Sequence, residues 1–151
     1  MNISRYLLRE AFVSAAINAL ISVGFFVAFF RGVDPIPVWG AGGYALDFAP
    51  QSFAVALMSA LVPGLLARRA LAARTFGAYP VPSPARVVLR ALAWAVAGLA
   101  VGGGATALAL WLSGLETIPA TPAFVLKIAY GAVLGAIVTH RSVAGLIGAA
   151  R

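Results

Sequence analysis

Few residues in this chain of 151 have the types that do chemistry. There is no cysteine, which removes thiolate nucleophiles, thiolate metal sites and disulfides together. One histidine, His140, allows neither a multi-histidine metal cage nor a bis-histidine haem within a single chain. The acids are Glu10, Asp34, Asp47 and Glu116, and no two of them pair inside an apolar segment. No Ser/His/Asp set appears, and Gly102-Gly103-Gly104 falls inside an apolar run, so it is not a phosphate cradle. The expectation is therefore no catalytic site, no cofactor and no metal. Lys127 is the one formal charge well inside an apolar segment, and an ionisable group in that setting is a functional hypothesis by default. It lies roughly 6 Å from the start of its helix at about 1.5 Å per residue, near Gln51 and Thr106 in depth. From there it reads as a cation that snorkels outward or forms a structural ion pair, ahead of a transport site. Asp47 and Glu116 are the expected outer-face counter-ions. His140, at a helix end, reads as an interfacial side chain favoured by the helix C-terminus.

Two further sets of residues point to helix association. Ser14, Asn18 and Ser22 recur on one face of the first apolar segment, and Ser59 of the second falls at the depth of Asn18. An amide in hydrocarbon needs a partner, so an interhelical hydrogen bond is the reading taken ahead of substrate binding. Ala91, Ala95, Gly98, Gly102, Ala105 and Ala109 form a small-residue stripe, and Gly131 and Gly135 form a second close-approach pair. Each pair alone reads first as packing within the bundle. Two such faces on one small protein point to one external contact.

The elements that must carry these residues follow from composition. The chain is 62% hydrophobic and 10% charged. An ordinary soluble domain is roughly 45–50% apolar and about 25% charged, so this chain cannot clothe itself for water. A spanning helix needs about 20 mostly apolar residues. Four segments qualify, at about 11–30, 48–66, 87–112 and 123–139, in a single membrane domain covering 1–151. The first ends Phe29-Phe30-Arg31 and reads as a retained helix rather than a cleaved signal peptide. Ser83-Pro84 and Thr121-Pro122 each place a capping hydroxyl before a proline, Pro50 suits a first helical turn, and Ser113-Gly114 suits a helix end. Trp94 and Trp111 stand about 26 Å apart along a helix, which matches two interfacial belts. The loop 31–47, with Trp39 and Tyr44, is expected to lie across the membrane surface. The fold class is thus an all-α integral membrane four-helix bundle of two consecutive hairpins; a repeat between them would be parallel, but shared apolar composition accounts for their weak likeness ahead of true duplication.

Orientation comes from the basic residues. Arg5, Arg9, Arg68, Arg69, Arg74, Arg86, Arg90, Arg141 and Arg151 fall on one side, with Glu10. Arg31 and Lys127 fall on the other, with Asp34, Asp47 and Glu116. Both termini and the basic loop at about 67–86 are expected in the cytoplasm, which makes the chain a multi-pass protein of the bacterial inner membrane. The net charge of +7 reflects this bias and not a nucleic-acid face. The run Ile17-Asn18-Ala19-Leu20-Ile21, with Val38-Trp39-Gly40, Asp47 and Ser52-Phe53, resembles a group of small uncharacterised bacterial four-helix inner-membrane proteins. That resemblance implies no activity and carries over no functional residue. The expected function is a non-enzymatic structural or accessory subunit of a larger inner-membrane complex, with the bilayer and other membrane subunits or further copies of itself as partners. The alternative is a small oligomeric transporter or channel for a small molecule or ion, and an enzyme ranks below both.

Overall fold

A computed structural model describes residues 2–148. Arg151, counted above toward orientation, lies outside them. The protein is built from helices α1 (Ile3–Phe30), α2 (Tyr44–Ala72), α3 (Pro84–Ala97), α4 (Gly104–Ser113) and α5 (Ala120–Gly148). A π-helical turn, Gly98–Gly103, joins α3 to α4 into one rod, the third span. Strands β1 (Ile36–Pro37) and β2 (Thr117–Ile118) are two residues each. Among the described residues four helices are long and apolar enough to cross a membrane: α1, α2, the third span and α5.

Each helix overruns its apolar stretch, because local chemistry sets where it stops. Asn2 caps α1 by accepting from the Ser4 N–H. Ser83 caps α3 ahead of Pro84. Gly114 closes α4 at φ +65°, the left-handed conformation a side chain resists. α5 differs from the expectation of a Thr121 cap. It begins at Ala120, whose N–H donates to Asp34 Oδ1 at 3.0 Å, so a carboxylate from the first connection caps the last helix. Pro50 sits past the first turn of α2, and Pro63 deep inside it.

The expected hairpins exist in chain order but not in packing order. α1 lies chiefly along α5, α5 along α2, and α2 along the third span, whereas α1 touches α2 only lightly. Exchanging the two halves of the chain maps the α1–α5 contact onto the third span–α2 contact and returns the α2–α5 contact to itself. The two connections obey the same exchange. β1 and β2 pair antiparallel, Ile36 opposite Ile118 and Pro37 opposite Thr117, and stitch one end of the bundle shut. Beneath that stitch Phe26, Phe30, Tyr44, Phe48 and Phe124 form an apolar plug. Tyr44 is therefore no surface ring: it is fully buried, and its hydroxyl donates to the Ala123 carbonyl at 2.6 Å. Trp39 is half exposed.

The π-turn corrects the reading of the third span as one regular helix. Ala91, Ala95 and Gly98 are buried against α2, as a small-residue stripe requires. Beyond Gly98 the buried position is Gly103, while Gly102 is half-buried and Ala105 and Ala109 are exposed. A π-turn inserts one residue into the helical repeat, so the face C-terminal to it rotates out of phase with the face before it.

Candidate functional site

The interior of the bundle is a polar seam shared by α1, α2 and α5. Its three rows each step by four residues, so every row keeps to one helix face. α5 contributes Lys127, Gly131, Gly135 and Thr139, and α2 contributes Asp47, Gln51 and Ser59, with the apolar Val55 at the step between the last two. α1 runs antiparallel to α5 and contributes Ser22, Asn18 and Ser14.

At one end of the seam Lys127 forms an ion pair with Asp47. Lys127 is completely buried, so it does not snorkel. Its ammonium stands 4.6 Å from the centre of the Phe48 ring, 5.3 Å from Tyr44 and 5.4 Å from Phe30. Three ring faces replace much of the hydration an ammonium loses on burial. Glu116 takes no part. Its side chain is exposed in the second connection, and its carbonyl accepts from the Val38 N–H at 2.8 Å. The cavity beside this end is walled by Phe26, Phe30, Arg31, Asp34 and Phe124, among others, and Lys127 does not line it.

The middle of the seam is possible because α5 has glycine where α1 arrives. A Cβ on Gly131 would collide with Ser22 Oγ and stand 3.1 Å from the Asn18 carbonyl oxygen. A Cβ on Gly135 would collide with the Asn18 amide itself, 2.9 Å from its Cγ. Into this space Ser22 donates to the Asn18 carbonyl at 2.8 Å, and Gln51 Nε2 donates to Ser22 Oγ at 2.8 Å. Asn18 Nδ2 donates to the Ser14 carbonyl at 2.8 Å and to Ser59 Oγ at 2.9 Å. Ser14 Oγ lies 3.2 Å from Ser59 Oγ and 3.3 Å from the Gly135 carbonyl oxygen. Because the Ser14 carbonyl can only accept, the Asn18 branch facing it must be the NH₂. Asn18 Oδ1 and Gln51 Oε1 are buried and accept from no donor among the described residues.

The far end of the seam rests on a proline. Pro63 has no N–H, so the Ser59 carbonyl four residues earlier lacks its intrahelical donor. Thr139 Oγ1 on α5 donates to that carbonyl at 2.8 Å. A helix defect in α2 thus becomes an interhelical bond, and the freed backbone group stays satisfied.

The remaining singled-out residues fall elsewhere. Gly98 lies on α2: a Cβ there would meet Ala56 Cβ at 2.5 Å and the Ser52 carbonyl oxygen at 3.0 Å. Gly102 faces the Tyr130 hydroxyl, which in turn bonds Ser52 Oγ. The four glycines of the two pairs therefore meet neighbours within the chain. His140 is exposed. Gln51, matched in the sequence only to the depth of Lys127, and Thr139, Tyr130 and Pro63, which motif reading passed over, are seam or packing residues. The shared four-residue step of the rows on α2 and α5 is the signal that could have found the first two. Among the described residues no group of three His, Cys, Asp or Glu side chains gathers to hold a metal. The chain matches no protein-family model, no curated protein and no solved structure, so fold and site geometry alone carry the functional reading.

Proposed function

We propose that this is a non-enzymatic integral membrane protein, a structural or accessory subunit whose third span seats against a helix of a larger inner-membrane assembly. One observation carries the reading: α4 buries none of its residues. An apolar window of the third span is 17% buried, the lowest of the four spans, against 22% for α1, 28% for α5 and 44% for α2. That outward surface carries small residues at Ala93, Ala97, Ala100 and Gly104, and a Cβ on Gly104 would meet nothing within 4 Å. Small residues let backbones approach closely, and in lipid such close packing is a main source of helix association. The polar groups of the seam are largely spent on one another, which supports a role by contact. The transport alternative needs Lys127 beside water, and full burial among three rings favours the structural ion pair.

Substitution on the outer face tests the proposal. Ala97→Leu and Ala100→Leu, purified from the native membrane, should keep wild-type thermal stability and lose co-purifying chains. Retention of the same companions by both variants would overturn the docking face.

A further inference from the structure

We infer that the groove between α1 and α2 is a binding site for a small neutral lipophile bearing one hydroxyl donor, a phenol or compact alcohol. Because α1 and α2 touch only lightly, a cavity of about 160 Å³ opens between them. Its walls are apolar: Val13, Ile17 and Ile21 from α1, with Met58, Val62 and Leu66 from α2. Its floor is polar and includes Ser14, Asn18 and Ser59.

The floor offers one unspent acceptor. Asn18 is 2% exposed, and its Oδ1 receives no hydrogen bond from the described residues. Its NH₂ branch is spent on Ser14 and Ser59, which leaves the carbonyl as the branch without a donor, and Asn18 is among the residues that line the groove. A buried carbonyl without a donor is costly, and that cost selects an occupant that supplies one.

Size and charge narrow the class. An apolar protein cavity of about 150 Å³ accepts benzene, so this groove takes a ring of that size or a short chain, and is far too small for a helix. The acceptor is a neutral amide at mid-helix, where burying a cation would be expensive. The groove's one carboxylate, Glu10, already accepts from Arg9 at 2.9 Å and lies two turns away along α1. A neutral O–H is the donor that fits. This site is separate from the outer face of the third span and does not depend on it.

Photolabelling of the full chain in phosphatidylcholine nanodiscs tests the inference, with a diazirine-bearing phenol as the probe and adducts mapped by mass spectrometry. Adducts should concentrate on Ile17, Ile21, Met58 and Val62. 4-Fluorophenol should compete about fivefold better than 4-fluoroanisole, the same ring without the donor, since one neutral hydrogen bond is worth about that factor. Val62→Trp, filling the groove from its half-exposed wall, should remove the groove adducts, and Met58→Phe provides the same block should Val62→Trp not fold. Equal competition by the anisole would overturn the donor match. Adducts spread evenly over the outer faces of all four spans, or unchanged labelling in a folded groove-filling variant, would overturn the site.

Discussion

Removing the ammonium of Lys127 should unbalance the bundle more than any other single truncation in the seam. Lys127 is fully buried, and Asp47, its partner, is 8% exposed. Lys127→Met keeps most of the side-chain volume and leaves the Asp47 carboxylate without a cation, facing rings that no longer have a charge to attract. Breaking a buried pair by removing one partner costs about 3–5 kcal/mol, since the other charge stays buried and unpaired. The slight exposure of Asp47 gives it access to water at the bundle end and places the cost at about 3 kcal/mol, the low end of that range. Asp47→Asn should cost less, because the three rings continue to face the ammonium. The double variant Lys127→Met/Asp47→Leu removes both charges and should return to within about 1 kcal/mol of wild type. Unfolding in mixed micelles by titration with dodecyl sulfate, followed by tryptophan fluorescence, measures all four proteins. A Lys127→Met protein as stable as wild type, or a double variant worse than both single ones, would refute the reasoning.

Three further outcomes follow from the same geometry. Gly98→Ala drives a methyl onto Ala56 and the Ser52 carbonyl and should cost about 1–3 kcal/mol by micelle unfolding, while Gly104→Ala meets open space and should not destabilise. Thr139→Val strands the Ser59 carbonyl and should cost about 1–2 kcal/mol, yet much less in a Pro63→Ala background, where α2 regains an N–H for that carbonyl; additivity of the two changes would contradict the exchange. The chain has no cysteine, so single-cysteine variants report sidedness directly: Glu116→Cys should label from outside the cell and Arg74→Cys from the cytoplasm, and the reverse pattern would overturn the proposed orientation.

The helices were legible because apolar length and turn residues are local signals. Ser83-Pro84 and Gly114 mark ends that the structure uses. The start of α5 was not legible, because its cap, Asp34, comes from the other half of the chain and no local pattern announces it. Asn18 and Ser59 could be matched by depth, since both lie near the middle of their spans. Gln51 could be matched only to Lys127, and its contact with Ser22 depends on which face α1 turns toward α5. Lys127 could be placed near a bundle end but not inside it, because burial depends on the plug that two distant connections close over Phe30, Tyr44 and Phe48. The π-turn escaped because Gly98 through Gly104 reads equally well as an unbroken close-packing stripe. One inserted residue then moved Ala105 and Ala109 to the surface.

The claim that the third span is a docking face can be met by one measurement: native mass spectrometry of the protein extracted in nanodiscs from its own membrane, with a photo-crosslinking residue at Ala100. The account requires a complex with at least one other membrane chain, joined through that position. A lone monomer, or copies of this chain alone with no crosslink at Ala100, would contradict it.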